Sequence, residues 1–317
     1  MALHDVGEAR TSAQRSLALL QSSGGTSFRE GGCASCHGAN IVTAALVRAR
    51  RKGIPLDEAA ADEMLRSIRL QFAASGDGYL ERFDGPDPKV ISNALLALAE
   101  AGVRPDRVTD AMAQNLAGQQ LAEGSWGSIG IMRPPTVDGP FSATAMAIRA
   151  LQVYGPPARR AENRERVARA VHMLASSKPS TTEDSVMQVL GLKWADADRK
   201  QTEAAARLLA GLQRQDGGWA QTPYHSTDAY ATGTALHALF ESGMSPEAAV
   251  YRKGVAFLLS TQAADGSWRV ASRAPKFQPY FEGGFPYGHD QWISQWATGW
   301  ATIALTHSLS IAKAQLQ

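Results

Sequence analysis

The sequence predicts an all-α fold, an α6/α6 toroid in which a ring of inner helices is wrapped by a ring of outer ones. Three observations carry this. The pattern Gln-x-x-x-Gly-x-Trp recurs at Gln120–Trp126, Gln213–Trp219 and Gln262–Trp268, and such fixed-period self-similarity marks stacked supersecondary units. Each copy lies between two apolar stretches of helical period. The alternation expected of strands is nearly absent.

The units follow in order. The first holds a loose copy of the motif, Gln21 to Gly25 leading to Phe28, and then a helical stretch from Ile41 to Gly53. The second pairs Gln71 and Gly78-Tyr79 with Ile91 to Gly102, and the third follows Trp126 with Ala143 to Gly155. A degenerate fourth copy spans Ala175 to Asp184. The fifth runs from Ala205 to Leu212 through Trp219 to Tyr230–Gly243, and the sixth follows Gln262. The glutamines recur about every fifty residues. Closing glycines fit helix C-caps, and Ala-rich faces with small residues at i, i+3, i+4 and i+7 suit close packing. Hairpins that bury one face must stack, and six of them can close on themselves, giving one toroid over residues 1–317.

Composition excludes several classes. With 44% hydrophobic and 20% charged residues and a net charge of +2, the chain reads as globular. The basic clusters at Arg48–Lys52 and Arg159-Arg160 read as solvated helix ends rather than a nucleic-acid surface. No apolar run reaches the ~20 residues of a transmembrane helix.

The two cysteines of the chain stand together in Cys33-Ala34-Ser35-Cys36-His37. Two thiols at this spacing can each add across a haem vinyl group, with the adjacent imidazole as axial ligand. A thioredoxin-like dithiol prefers a fold with no support here, half a zinc site has no second cysteine pair, and a disulfide would leave His37 unexplained. The expectation is one covalent haem c in the first repeat (33–37), held by Cys33 and Cys36 with His37 as proximal ligand. Such haem is attached outside the cytoplasm, so a periplasmic or otherwise extracytoplasmic location is expected, with the chain beginning after a removed signal segment.

Aligning units on their closing glycines puts Gly38, Asp87, Pro140, Asp184, Asp228 and Ser294 at equivalent positions on one rim of the ring, where Asp is also a good N-cap. A long loop from Trp268 to Trp292 carries Phe277, Tyr280, Phe281, Phe285, Tyr287 and His289, and loops of that length without secondary structure are often functional. If the ring closes, this loop lies beside the motif. Phe281, Phe285 and Tyr287 are then expected at the porphyrin and His289 at the distal side of the iron, with His225 second and Met132 and Met64 behind it. An open iron site is equally allowed. The alternative for the loop is a hydrophobic seal over the ring seam.

The repeats resemble those of squalene–hopene cyclases and protein prenyltransferases, families with the α/α toroid, in which the glutamine and tryptophan tie neighbouring helices together. The cyclases use an Asp-x-Asp-Asp-Thr-Ala acid device. The nearest segment, Ser226-Thr227-Asp228-Ala229-Tyr230-Ala231-Thr232, keeps one of its aspartates. The prenyltransferases need an Asp/Cys/His zinc site late in the chain, where no cysteine stands. Asp228–Gly233, Phe277–Phe281 and Gly288–Ser294 also look like a bacterial group of haem-motif proteins with cyclase-type repeats, of no secure activity.

The functional expectation is redox: electron transfer to a partner protein, or haem-dependent oxidation of an apolar small molecule held in the ring cavity. Asp184, His225, Asp228, Tyr230, His289 and Asp290 would orient that molecule or relay protons. One alternative is a haem-independent terpenoid cyclase or lyase using the same rim residues, and another is a non-catalytic binding module.

Overall fold

The computed structural model describes residues 6–26, 38–76, 78–81, 86–127, 132–136, 139–276 and 279–309. Among them are twelve long helices in six pairs, each an outer helix followed by an inner one: α1 (Val6–Gly24) and α2 (Ala39–Arg51), α3 (Glu58–Ala73) and α4 (Pro88–Glu100), α5 (Arg107–Gly118) and α6 (Pro140–Tyr154). The others are α7 (Arg160–Ser176) and α8 (Thr182–Trp194), α9 (Arg199–Gly211) and α10 (Ala229–Glu241), α11 (Ala249–Thr261) and α12 (Gln291–His307). The strands described, Trp219–Ala220 and Thr227–Asp228, form one short antiparallel ladder.

Local chemistry starts these helices where they start. Asp57, Asp87, Asp106, Asp198 and Asp228 each accept a backbone N–H in the first turn of the helix that follows, which satisfies donors with no partner inside the helix. Pro88 and Pro140 occupy the first position of α4 and α6, where a missing N–H costs nothing.

Each inner helix packs on the next, and α12 packs on both α2 and α1, so the ring closes. The inner helices approach closely because their contacts are made by small residues. A Cβ on Gly233 of α10 would lie 2.7 Å from the Trp300 and Ala301 backbone of α12. The buried core runs around the ring through Ala45, Ala94, Ala143, Val189, Ala235 and Ala301.

The Gln/Gly/Trp motif is the fastener. Trp126, Trp219 and Trp268 are fully buried, and each indole N–H donates to a carbonyl near the end of its own outer helix: Leu116 O at 2.7 Å, and Leu209 O and Leu258 O at 2.9 Å. Each tryptophan backbone N–H donates to a threonine of the next inner helix, Thr144, Thr232 or Thr298. Gln120, Gln213 and Gln262 each bond their own turn and the next outer helix, at Arg166 O, Val250 O and Ser12 O. The motif glycines are required twice over. Gly124, Gly217 and Gly266 sit at φ +98, +93 and +90, in the left-handed region. A Cβ there would lie 2.5 to 2.6 Å from the backbone of the next outer helix.

The degenerate fourth unit lacks the tryptophan and replaces its bond from the other side. Gln188 of α8 reaches outward and donates to Leu174 O at 2.6 Å. In the second unit Tyr79, 6% exposed, stands in the tryptophan's place.

Candidate functional site at the rim

Inner-helix N-termini and the loop between Trp268 and α12 form one rim of the ring. The loop is held from within. Gln291 donates to Phe281 O at 2.7 Å and accepts the Gly283 N–H at 2.6 Å. Asp290 accepts the Ser272 N–H at 2.9 Å and pairs with Arg269 at 3.2 Å, and the Trp292 indole donates to Ser272 Oγ at 3.0 Å.

Beneath the loop lies a cavity of about 270 Å³ lined by Tyr280, Phe281, Phe285, Trp292, His289 and Gln295, with Arg133 and Lys276 adding positive charge. The aromatic and proline lining suits a flat apolar ligand, and the cations suit acidic groups on it. His289 packs against Tyr280, ring centroids 4.8 Å apart, and its imidazole makes no hydrogen bond to a described residue. The cavity is built by the loop, Arg133 and α12. It therefore sits at the rim of the ring.

Cys33, Cys36 and His37 lie outside the described residues, as does Phe277. The residues that flank the motif-bearing segment are described, and both meet this loop or its cavity. Thr26 abuts Gly284, where a Cβ would lie 3.0 Å from Thr26 Oγ1. Gly38, at φ +113, is pressed on Gln295, whose amide oxygen would be 1.9 Å from a Cβ there. Gln295 lines the cavity floor and donates to Ser23 Oγ at 3.1 Å.

The other rim residues divide. Asp184 is in a capping box with Thr181 and accepts from the Ser180 and Thr181 N–H groups; the cap itself is Thr181, so Asp184 stands inside the first turn. Ser294 likewise sits one turn inside α12, because the Gly288–Asp290 turn starts that helix early. Asp228 accepts N–H bonds from Ala231 at 2.9 Å and Gln221 at 2.8 Å, and Gln221 accepts from Arg273 of the loop at 2.6 Å. Burial raises the Asp228 carboxyl to about 6, against the pull of these donors. His225 is exposed, bonded to Thr222 at 2.6 Å, and is not among the residues that line the cavity. Tyr287 is turned away from the cavity, its hydroxyl 2.6 Å from Ser267 Oγ. Met64 is in the core under Gly24, and Met132 contacts Lys89 Nζ at 3.9 Å.

One residue that sequence reasoning passed over is Glu183. It is 5% exposed on α8, with the Tyr230 hydroxyl donating to it from α10 at 3.2 Å and Ser142 Oγ of α6 at 3.4 Å. Asp184 looked the better candidate because it aligned with the rim position. About 100° of helical rotation separates the neighbours, which turns Asp184 to the cap and Glu183 to both adjoining inner helices.

No protein-family model and no curated protein matches the sequence. Solved structures do. A protein from Actinoplanes superposes with a TM-score of 0.65 at 16% identity, over 95% of this chain and 100% of the other. A variant of the type II terpene cyclase MstE from Scytonema, in complex with its product merosterolic acid A, gives 0.59 at 16% identity, over 97% and 99%. A possible member of the GH105 family from Salmonella enterica gives 0.56 at 14%, over 97% and 95%. At these identities the likeness is one of fold, and the fold is the α/α toroid that terpene cyclases and glycosidases share.

Proposed function

We propose that this chain is an extracytoplasmic haem c protein with a redox role. The haem would be tethered by Cys33 and Cys36 and seated in the cavity under the long loop. One observation supports this above others: the segment bearing the motif is flanked by Thr26 at Gly284 and by Gly38 at Gln295, and His37 precedes Gly38 by a single Cα–Cα step of about 3.8 Å. The lining fits the group: Phe281, Tyr280 and Trp292 offer aromatic surface, Arg133 and Lys276 offer charge for propionates, and His289, packed on Tyr280, offers an imidazole with no hydrogen bond to a described residue. Bound haem would supply one-electron chemistry at an iron tuned by its axial ligands and burial. Around it, Gln291 and Asp290 fix the loop, and Phe281 lines the cavity as a half-buried apolar surface.

The second reading is a haem-independent terpenoid cyclase or lyase. Its architecture is the one this chain shares with the terpene cyclase and glycosidase structures. The buried Glu183, with Tyr230 and Ser142, is the carboxylic group best suited to protonating an apolar substrate in this reading. Asp228, whose carboxyl burial raises to about 6 against the pull of its N–H donors, is the other acid of this reading.

The test is an optical spectrum, oxidised and reduced, of protein made in a host with a c-type maturation system, with haem stain on a denaturing gel. A sharp reduced α-band, and stain lost in Cys33→Ser/Cys36→Ser, is the expected result. Carbon monoxide binding then marks an open iron and catalysis; its absence with a His289-dependent spectrum marks a relay. A colourless protein overturns the haem reading and leaves Glu183→Gln as the variant to assay on prenyl substrates.

A further inference from the structure

The opposite end of the ring, where the inner helices terminate, holds a second polar cluster. His237 and Glu241 stand at i and i+4 on α10, and therefore on one face. His307 ends the neighbouring α12. His237 Nδ1 and His307 Nε2 are hydrogen-bonded to each other at 3.1 Å, an N–H···N bond whose proton an ion would replace, and Glu241 Oε1 is 3.9 Å from His237 Nδ1. Among the described residues this is the place where three metal-ligating side chains converge, all three donor atoms lying within 4.8 Å of one another.

We propose that His237, Glu241 and His307 form a divalent-metal site of the two-imidazole, one-carboxylate kind, suited to zinc. Ligand atoms about 2.0–2.2 Å from a common tetrahedral ion lie about 3.3 Å apart, close to the spacing of the two imidazole nitrogens. Both histidines are 6% exposed or less. Burial first, and then the facing charge of Arg48, hold both imidazoles neutral, with Lys52 adding to the effect on His307; neutral imidazole is the form that binds metal. The carbonyl ends of α10 and α12 point to this mouth of the ring and favour positive charge there.

Arg48 is the competitor. It bonds Glu241 Oε1 at 3.0 Å and Glu100 Oε1 at 3.1 Å, crossing the ring floor from α2 to α10 and α4. The second oxygen of Glu100, Oε2, is buried with no hydrogen-bond partner, so the floor carries more acceptor capacity than Arg48 fills. The ion would join α10 to α12, the closest-packed inner pair, and close the floor of the ring.

The site is independent of the haem motif, and its test is made in the Cys33→Ser/Cys36→Ser chain so that free thiols cannot take up zinc. After chelator treatment and dialysis, that chain is titrated with zinc chloride by calorimetry, with bound metal counted by elemental analysis. One zinc per chain is expected. His307→Gln should weaken binding by about 100-fold or more, since even loss of an outer-shell partner costs 10–100-fold. Arg48→Met should tighten it by freeing the Glu241 carboxylate, a direction that no purely structural role of Arg48 produces. If His307→Gln fails to fold by circular dichroism, Glu241→Gln, at a partly exposed position with Arg48 still paired to Glu100, takes its place. No stoichiometric zinc, or affinity unchanged in the ligand variants, overturns the site.

Discussion

Ring closure can be weighed at a single glutamine. Gln262 Nε2 donates to Gly266 O within its own turn and to Ser12 O on α1, both at 3.0 Å, and its oxygen accepts from Arg15 at 2.7 Å. Gln213 makes the same pair of bonds, to Gly217 O and Val250 O, both at 2.8 Å. Gln213 joins neighbouring units, whereas Gln262 joins the last unit to the first. Each buried bond is worth about 1 kcal/mol net, and the exposed contact to Arg15 adds little. Leucine at either position should therefore cost about 2 kcal/mol. For 317 residues, an unfolding entropy of about 2.1 cal/mol/K per residue turns that into a Tm lower by about 3 °C. The assay is scanning calorimetry beside urea unfolding, on Gln213→Leu and Gln262→Leu in parallel. Equal losses are expected. In an open chain Gln262 keeps only the bond to Gly266, so a Gln262→Leu loss of half the Gln213→Leu loss or less would refute closure at this seam.

Trp219→Phe should cost about 1 kcal/mol in urea unfolding for the lost indole bond, plus the void left by the smaller ring, since Leu209 O still accepts from the Leu212 N–H. Gln188→Leu should cost about 1–3 kcal/mol, because it strands the buried Leu174 O. A neutral Gln188→Leu would mean that the fourth unit does not replace its missing tryptophan in this way. Asp228, raised from 3.8 to about 6, stabilises the fold in its protonated form. The unfolded chain releases that proton first as pH rises, so stability falls between about pH 4 and pH 6 and levels above, by no more than about 3 kcal/mol. Asp228→Asn should lose this dependence and gain on the parent chain across that window; a constant difference from pH 4 to 7 would contradict it. Gly233→Ala should push α10 from α12 and cost several times the ordinary effect of a surface alanine, read as a fall in the urea midpoint.

What was legible in the sequence follows from which interactions are local. The repeat could be read because the Gln/Gly/Trp turn satisfies most of its own bonds within about ten residues, and those bonds demand the same residue types in each unit. Caps were legible for the same reason, and they are why Asp228 and Asp184 read both as caps and as site candidates: an N-cap aspartate and a rim carboxylate are identical in sequence. The structure separates them by what else they accept. Glu183 escaped notice because its partners, Ser142 and Tyr230, lie on two other units and are brought to it only when α6, α8 and α10 stand side by side. His237 and His307 escaped for a stronger version of the same reason. Each falls within a helical pattern and reads as a core or surface residue of its own helix, and the 3.1 Å hydrogen bond between them exists only because α10 and α12 stand side by side in the ring. Long-range constellations of this kind are products of ring geometry, and a repeat motif that carries scaffold information contains none about them. Chemistry in a toroid therefore has to be sought where the repeat breaks. Among the described residues, the long loop under which the rim cavity lies and the degenerate fourth unit that carries Glu183 are two such places.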